Sequence, residues 1–315
     1  MSCGNLNTEA QKAIDPIREK CESIKPEIVV KCLAFNHGKY IRQTLEGFIN
    51  QNTDFPFVVV VHDDASTDDT PQIIEEFRKK YPHIIFPIYE KINQYSKKDG
   101  SLSKIINEAI DATGAPYIAT CEGDDYWIDE NKLQTQRDFL VNNPDYGLVA
   151  THCYQLLDGK LEDFALTDQE EISTRHLFEK NRIATLTTLY RHELLHDYRR
   201  LNVNSYKFPL GDYPLWLYIS QKTKIKNLPV YTAVYRILPE SASHSGDEMK
   251  NFLFKIAFSE IKILFASHYP EWRRKALRKR QKTILRYSWR LKKLHLLKHL
   301  FKFTYLNNGH SQENI

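Results

Sequence analysis

The feature that most constrains the fold is a regular alternation of short apolar runs with longer amphipathic segments in the first half of the chain. The runs are rich in Val and Ile, as buried strands are, and the segments between them repeat apolar residues at helical spacing. The predicted strands are 27–35, 55–63, 83–90 and 116–125, and the predicted helices are 39–51, 68–82 and 101–113. This alternation predicts an α/β fold with a mainly parallel central sheet flanked by helices.

The second half of the chain is less regular. Its patterns predict strands at 146–156 and 230–237, a strand turning into a helix over 183–195, and a loop followed by an apolar helix over 208–225. These elements are expected to extend the same domain rather than repeat it, because the sequence has no internal repeat.

Cysteine usage and the absence of long apolar runs indicate the compartment. The 5 cysteines are scattered, which is typical of free thiols in a reducing environment rather than of a disulfide framework. The first residues have no apolar core of a signal peptide, and no run approaches the ~20 apolar residues of a membrane span. The chain is expected to be cytoplasmic, or peripheral on the inner face of the cytoplasmic membrane.

Polar clusters follow three of the predicted strands. They read AFNHG after the first strand, HDDAS after the second and EGDDYW after the fourth. Because ligands bind beyond the carboxyl ends of strands in parallel sheets, we expect these clusters to form one site.

The adjacent carboxylates Asp124 and Asp125 point to a metal ion. Like charges side by side repel each other, and burying them unpaired is costly. A divalent cation resolves this conflict, because Mg²⁺ and Mn²⁺ prefer oxygen ligands and are often shared with substrate phosphates. The pattern predicts a Mn²⁺ or Mg²⁺ diphosphate site, with a solvated acidic turn as the structural alternative.

Several nucleotide-dependent classes lack their signatures here. There is no GxGxxG after the first strand, which argues against a dinucleotide-binding Rossmann domain, and no Walker lysine loop, which excludes a P-loop NTPase. A sugar nucleotidyltransferase would need a basic, glycine-rich triphosphate loop near the N-terminus. A phosphohydrolase would need a nucleophile after the first strand, where Phe35 and Asn36 stand.

The motifs together resemble a known family. The segments VVKCLAFNHGKYIRQTLEGFINQ, VVVVHDDASTDDTPQII and APYIATCEGDDYW resemble, in order and spacing, the nucleotide-sugar-binding core of inverting family 2 glycosyltransferases with a GT-A fold. The resemblance covers residues 27–145. It implies transfer of a sugar from a nucleotide-sugar donor, expected to be a UDP-sugar, to a glycan or lipid-linked glycan hydroxyl in surface polysaccharide biosynthesis.

The resemblance implies roles for the donor-side residues. Ala34, Phe35 and Asn36 match the segment that packs on the base of the donor, and Asp64 matches the carboxylate that hydrogen-bonds the base. Asp124 is expected at the ribose or diphosphate, and Asp125 is expected to bind the metal. The family's first acidic position is Gly123 here, which leaves one fewer acidic ligand.

The resemblance is weaker in the second half, where LGDYPLWLYIS matches the acceptor-side segment. On that match, Asp212 is the catalytic base. An inverting transfer needs a carboxylate to deprotonate the attacking hydroxyl. The structural alternative is a helix cap, because Pro214 follows at a helix start.

Other predicted site residues rest on single positions. His244 is the candidate metal ligand from the C-terminal region, with Arg236 as a neighbour, although a lone histidine is more often structural. Lys104 is a candidate phosphate partner. Tyr126 and Trp127 are candidates for the acceptor side, with a core role as the alternative for Trp127.

The segment 272–302 contains many Lys and Arg residues and no Asp or Glu. Apolar residues recur in it at helical spacing, at Tyr287, Leu291, Leu294, Leu297 and Phe301. Such a basic amphipathic helix is typical of contact with an anionic membrane surface. A helix packed on the rest of the protein with a solvated basic face is the alternative. No motif supports nucleic-acid binding.

These interpretations divide the chain into a polar extension (1–25), a GT-A catalytic domain (26–245) and a basic helical region (246–315). Within the catalytic domain, the donor half is expected at 26–145 and the acceptor half at 146–245. A non-catalytic sugar-nucleotide-binding subunit remains the alternative function, and the sequence does not define an oligomeric state.

Overall fold

The computed structural model describes residues 8–164, 167–238 and 247–306 and divides into two compact units. The sheet unit comprises Met1–Glu171, Ile183–Glu193 and Thr223–Arg236. The helical unit comprises Ile172–Arg182, Leu194–Lys222 and Ile237–Ile315. The functional boundaries expected near residues 25, 145 and 245 stay predictions.

The strands of the described residues form one sheet. They are β1 (Ile28–Ala34), β2 (Phe57–Asp63), β3 (Ile85–Tyr89), β4 (Tyr117–Thr120), β5 (Tyr126–Trp127), β6 (Tyr146–Leu157), β7 (Lys160–Asp163), β8 (Leu189–Arg191) and β9 (Lys224–Arg236). The order is β3-β2-β1-β4-β8-β6-β9-β5, with β7 paired to β6. The first four strands are parallel to one another, and β8 is antiparallel to both of its neighbours. The predicted α/β fold with a mainly parallel sheet is confirmed.

The α-helices are α1 (Thr8–Ile24), α2 (Ile41–Ile49), α3 (Thr70–Lys80), α4 (Gln94–Lys97), α5 (Ser101–Thr113), α6 (Lys132–Asn142), α7 (Thr174–Glu179), α8 (His192–Arg200), α9 (Asp212–Lys222), α10 (Glu248–Phe265) and α11 (Pro270–Arg290). Short 3₁₀ helices lie at Thr185–Thr187, Val203–Tyr206 and Leu294–Leu300.

The sheet unit is held together by the apolar residues that predicted its elements. β2 is buried along its whole length, as expected for a central parallel strand. The apolar stripe of α2 is buried through Ile41, Leu45 and Phe48, and that of α3 through Ile74 and Phe77. Burying such side chains contributes about 1.5–3 kcal/mol each.

The fourth strand is shorter than predicted. It ends at Thr120, and the following residues turn, with the Asp125 N–H donating to the Glu122 carbonyl oxygen at 3.1 Å. The chain then forms β5, which pairs antiparallel with β9. The predicted strand 116–125 therefore ends before the acidic motif, and the motif itself is a turn.

The basic segment 272–302 is not one continuous helix. α11 ends at Arg290, and Lys292 takes a left-handed backbone conformation with φ of 52° before the 3₁₀ helix Leu294–Leu300. Tyr287, before the break, belongs to an apolar cluster with α10, and Leu291 and Leu297 pack against that cluster. Leu294 and Phe301, after the break, are exposed. The single apolar face expected for this segment is therefore wrong, because the change of direction divides its residues between core and surface.

The C-terminal end of the described chain is fixed by a buried ion pair. Arg280 donates to the Glu260 carboxylate at 2.8 Å, and the backbone N–H groups of Thr304, Tyr305 and Leu306 donate to the same carboxylate. These bonds compensate the desolvation of two buried charges. Within the described ranges, no helix is both long and apolar enough to cross a membrane.

Candidate active site

The carboxyl ends of β1, β2 and β4 bring the predicted donor-side residues together. Ala34 lies opposite Asp63 in the register of β1 and β2, and the Asp64 N–H donates to the Ala34 carbonyl oxygen at 2.9 Å. On the other side of β1, the Gly123 N–H donates to the Leu33 carbonyl oxygen at 2.8 Å. The three polar clusters therefore lie side by side at one edge of the sheet.

The loop after β1 is fixed in a shape that leaves Phe35 exposed. Asn36 takes a left-handed conformation with φ of 55°, its N–H donates to Ser66 Oγ at 2.8 Å, and its side-chain oxygen accepts from the Thr67 N–H at 2.8 Å. The Phe35 ring remains 44% exposed. An exposed aromatic ring on a rigid loop suits stacking on a planar base.

Asp64 is buried, and both of its carboxylate oxygens already have partners. Oδ1 accepts from the Gln94 N–H at 2.6 Å, and Oδ2 accepts from the Tyr95 N–H at 3.0 Å. The Asn93 side-chain amide also donates to the Asp64 carbonyl oxygen at 3.0 Å. Asp64 thus fixes the start of α4 against the end of β2, and its predicted contact with the base stays a prediction.

The acidic motif is fixed to α2 by a buried hydroxyl. Thr44 Oγ1 lies 3.0 Å from the Gly123 carbonyl oxygen and 2.6 Å from that of Asp125, and can donate its proton to either. A Cβ atom at position 123 would lie 2.8 Å from His37 Nδ1 and 2.9 Å from Ile41 Cδ1. Such contacts are shorter than van der Waals distance, so glycine stands here because the backbone passes too close to its neighbours for a side chain.

Asp125 is the more deeply buried of the two motif carboxylates. It is 4% exposed, and its Oδ1 accepts from the Arg236 N–H at 2.8 Å. Burial raises the pKa of the Asp125 carboxyl well above its usual range, and the charge on Asp124 raises this pKa further. Both effects favour the protonated form of this carboxyl, and a bound cation would favour the ionised form.

Arg236 is the site residue whose importance the sequence showed least. Its guanidinium donates to the Asp124 carbonyl oxygen and to Gln43 Oε1. It also lies over two aromatic rings, 4.3 Å from the centroid of Tyr126 and 5.1 Å from that of Tyr40. The available signal was an arginine at the end of a predicted strand in a chain that buries paired acids, but its partners come from two distant segments, 40–43 and 124–126.

The remaining predicted residues in the sheet unit have different surroundings. Tyr126 is half-buried beneath the Arg236 guanidinium, next to the acidic motif. Trp127 instead is a core residue: it is 4% exposed, it packs edge-on against Phe48 at 4.7 Å, and its Nε1–H donates to the Leu186 carbonyl oxygen at 2.9 Å. This corrects the acceptor-side interpretation of Trp127, whose ring has little surface left. Lys104 lies half-buried in the first turn of α5.

The predicted base and the predicted metal ligand of the C-terminal region are Asp212 and His244. Asp212 is the first residue of α9 in the helical unit, and its Oδ1 accepts from the Tyr213 N–H at 2.8 Å. A carboxylate in the first turn is favoured by the helix dipole, and the N-cap expected as the structural alternative stays a prediction, because the hydrogen bond to Tyr213 joins adjacent residues. His244 lies outside the described residues. Both catalytic assignments therefore stay predictions.

The donor set of the motif fits a divalent cation. Carboxylate oxygens are the ligands that Mg²⁺ and Mn²⁺ prefer, and Asp125 has the raised pKa of a buried acid whose charge lacks a full counter-charge. Arg236 contacts the motif through the Asp124 carbonyl oxygen and the Asp125 carboxylate, so the carboxylate of Asp124 is not the group that its guanidinium holds.

A comparison with protein families agrees with this geometry. The model of glycosyl transferase family 2 matches residues 32–195, which is just over half of the chain and includes the end of β1, all of β2 and β4, and the acidic motif. The chain belongs to glycosyl transferase family 2.

Curated relatives extend the similarity. An uncharacterized protein of Mycobacterium tuberculosis is 33% identical over 221 residues, which cover 68% of this chain and 60% of the relative. The chain thus spans 60% of the length of this relative. The dTDP-rhamnosyl transferase RfbG of Shigella flexneri is 31% identical over 109 residues, 35% of this chain and 36% of that protein.

Solved structures show the same fold. The structure of S. aureus TarS residues 1–349 in complex with UDP superposes with a TM-score of 0.56 at 18% identity, covering 83% of this chain and 72% of that one. A mannosyltransferase from Pyrobaculum calidifontis, in complex with GDP-Man and Mn²⁺, gives a TM-score of 0.51 at 16% identity, covering 95% of this chain and 86% of that one. The chain has the GT-A fold of these glycosyltransferases.

Proposed function

We propose that this protein is a metal-dependent inverting glycosyltransferase that moves a sugar from a nucleotide-sugar donor to a glycan or lipid-linked glycan hydroxyl. The observation that carries the proposal is the convergence of Phe35, Asp64 and the Asp124–Asp125 pair at one edge of the sheet. Surface polysaccharide biosynthesis is the expected context. Relatives include a poly(ribitol-phosphate) β-N-acetylglucosaminyltransferase and a putative teichuronic acid biosynthesis glycosyltransferase.

We expect the nucleotide of the donor to bind against the loop after β1. The exposed Phe35 ring offers an apolar face to the base, and the hydrogen bonds of Asn36 keep that ring in place. We propose a UDP-sugar, because TarS is described in complexes with both UDP and UDP-GlcNAc.

The diphosphate of the donor would lie at the acidic motif. When bound there, Mn²⁺ or Mg²⁺ would stabilise the negative charge that develops on the leaving nucleoside diphosphate. Asp125 would hold the cation from a buried position, and Asp124 would face the ribose or the diphosphate. Arg236 would keep this turn in one geometry through its bonds to the backbone of Asp124 and to Gln43.

The acceptor end of the proposal assigns the base. The acceptor hydroxyl attacks the anomeric carbon as the bond from that carbon to the diphosphate oxygen breaks, and Asp212 takes the hydroxyl proton. No second carboxylate is needed to protonate the leaving group, in contrast to glycosidases, because the diphosphate leaves as an anion. His244 as a metal ligand and Lys104 as a phosphate partner are part of the same proposal.

A donor panel tests the substrate class. UDP-, GDP- and dTDP-sugars are scored by thermal shift with and without Mn²⁺, and the donors that bind are then tested for hydrolysis. We expect Mn²⁺-dependent stabilisation by UDP-sugars. Stabilisation by GDP- or dTDP-sugars alone would contradict the nucleotide assignment, and no response to any donor would contradict the enzyme assignment.

Asp212→Asn separates catalysis from binding. This variant should keep the donor-dependent thermal shift and lose turnover by about 1,000-fold, since a general base contributes roughly 100- to 10,000-fold. Asp158→Asn, which changes an exposed carboxylate in the β6–β7 turn, is the matched control and should be fully active. Unchanged turnover in Asp212→Asn would mean that another group is the base. A wild-type protein that binds donor without any turnover would favour a non-catalytic sugar-nucleotide-binding subunit.

The cellular location is also part of the proposal. A lipid-linked acceptor is presented at a bilayer, so the enzyme is expected to work in the cytoplasm or as a peripheral protein on the inner face of the membrane. Fractionation of cells that produce the full chain would reveal which of the two locations is correct.

A further inference from the structure

We propose that the exposed apolar side chains at and after the end of α11 dock on an anionic lipid bilayer. These side chains, here named the lipid-facing patch, are Leu285, Trp289, Leu294 and Phe301. The inference deepens the membrane location in the proposed function and rests on it, but vesicle binding is measured apart from turnover, so the two can fail separately.

The patch contains the large apolar side chains that are exposed among the described residues of the helical unit. Trp289 is 84% exposed, Leu294 is 77% exposed and Phe301 is 89% exposed. Leu285 is 52% exposed and lies four residues before Trp289, so these two side chains are neighbours on one face of the helix. Single exposed apolar residues are ordinary, but large apolar side chains grouped within one short segment mark an interaction site.

The lipid-facing patch is distinct from the apolar face that α11 buries against α10. The opposite face of α11 already packs on α10, where Ile284 and Tyr287 join Phe252 and Ile256 in an apolar cluster. Leu296 of the 3₁₀ helix completes that cluster. The segment thus uses one set of apolar side chains for folding and leaves a second set in solvent.

The segment that carries the patch is basic, and an acidic residue beside it comes from the start of α10, where Glu248 pairs with Arg290 at 2.6 Å. Lys282, Arg286, Lys292 and Lys293 are exposed beside the patch, and the segment 272–302 contains no acidic residue. Anionic headgroups attract such a segment, and the long Lys and Arg side chains can reach the headgroups while apolar neighbours enter the acyl region.

A bilayer explains both properties of the patch at once. A nucleic acid would need the basic residues but has no use for exposed leucines. Tryptophan prefers the membrane–water interface, and exposed Leu and Phe side chains beside basic residues are typical of segments that lie in that interface. The proposed occupant is therefore a membrane rich in anionic lipid.

Vesicle co-sedimentation of the full chain tests the proposal. We expect binding to phosphatidylcholine vesicles that contain phosphatidylglycerol, and much weaker binding to phosphatidylcholine alone. Trp289→Ser combined with Phe301→Ser should weaken the binding about tenfold or more, because each side chain loses the burial of a large apolar surface. Lys292→Gln combined with Lys293→Gln should weaken the binding and reduce its dependence on salt.

Matched substitutions elsewhere serve as controls. Leu161→Ser changes an exposed leucine on β7, and Lys12→Gln combined with Lys160→Gln removes two exposed charges from other elements. Both should bind vesicles like the wild type. All variants change exposed side chains, so their thermal unfolding should match that of the wild type.

Tryptophan fluorescence gives a second readout. The emission of the wild type should shift to shorter wavelength on anionic vesicles, and the shift should disappear in Trp289→Phe, which keeps an apolar ring. Failure of the wild type to bind anionic vesicles would overturn the proposal. So would unchanged binding of the Trp289→Ser and Phe301→Ser double variant, which would indicate a purely electrostatic surface that also retains heparin or DNA.

Discussion

Two carboxylates at the same edge of the sheet, Asp64 and Asp125, are both buried but differ in what surrounds them. Asp64 has a backbone N–H donor for each of its oxygens. Asp125 has one N–H donor from Arg236, a charged neighbour in Asp124 and a raised pKa. The contrast shows that burial alone does not identify a functional acid. A carboxylate satisfied by backbone donors keeps its charge in the fold, whereas one that faces a like charge is favoured in its protonated form unless a cation binds.

The strongest test of this contrast is activity. Asp125→Ala should lower metal-dependent turnover by at least about 1,000-fold, because the cation would lose its buried ligand. The measurement is turnover against Mn²⁺ concentration, with Asp158→Asn as the control. An active Asp125→Ala protein whose metal dependence is unchanged would remove Asp125 from the metal site.

Substituting the two carboxylates should change the free energy of unfolding in opposite directions. Asp64→Ala leaves the buried N–H groups of Gln94 and Tyr95 without acceptors and should lower the free energy of unfolding by about 2–4 kcal/mol. Asp125→Asn in metal-free buffer should be neutral or stabilising by about 1 kcal/mol, because it removes an incompletely compensated charge. Urea unfolding of both variants measures the difference, and equal destabilisation would mean that both carboxylates are structural.

The turn that carries Asp125 should tolerate no side chain at position 123. Gly123→Ala places a Cβ against His37 and Ile41 and should cost about 1–3 kcal/mol of folding stability. Gly211→Ala is the control, because a Cβ there meets no atom within 4 Å. If the two substitutions have equal effects in thermal unfolding, the motif is less closely packed than its contacts indicate.

A buried lysine near the motif tests whether burying a positive charge in this region also lowers the free energy of unfolding. Lys132 is fully buried, its Nζ donates to Gln136 Oε1 at 2.5 Å and lies 4.5 Å from the Trp127 ring centroid, and burial lowers its pKa to about 7. The folded-state pKa is below that of the unfolded chain, so the unfolded chain binds the proton more tightly. Stability should therefore fall as the pH is lowered through the range between the two pKa values.

Lys132→Met should remove this dependence. The difference in free energy of unfolding between the variant and the wild type should grow by up to about 1.4 kcal/mol for each pH unit below 10, and should level off near pH 7. Denaturant unfolding at several pH values provides the measurement. Parallel pH profiles for the two proteins would show that Lys132 stays charged in the folded state.

The sequence was sufficient to predict the first four strands of the sheet and the edge where the polar clusters meet. Periodic apolar residues gave the order of strands and helices from β1 to β4, and the rule for parallel sheets placed Phe35, Asp64 and Asp125 together. The roles of these residues were harder to predict, because they depend on partners distant in the chain. The donors to Asp64 come from residues 94 and 95, and Arg236 reaches the motif from β9.

The C-terminal segment also shows that contacts between distant parts of the chain limit prediction from the sequence. Its helical spacing grouped Tyr287, Leu291, Leu294, Leu297 and Phe301 on one face. The backbone break at Lys292 cannot be read from that spacing, because it depends on how α11 packs against α10. The exposed residues Leu285 and Trp289 lay outside the predicted apolar face for the same reason.

The contacts around Gly123 have a consequence for how the acidic motif can evolve. A third carboxylate at this position would place a Cβ 2.8 Å from His37 Nδ1 and 2.9 Å from Ile41 Cδ1, so both side chains would have to shift to admit it. Such shifts cost packing energy in a close-packed interior. Substitutions in contact are not additive, so a smaller neighbour would lower this cost. The contacts therefore favour the two-carboxylate form of the motif.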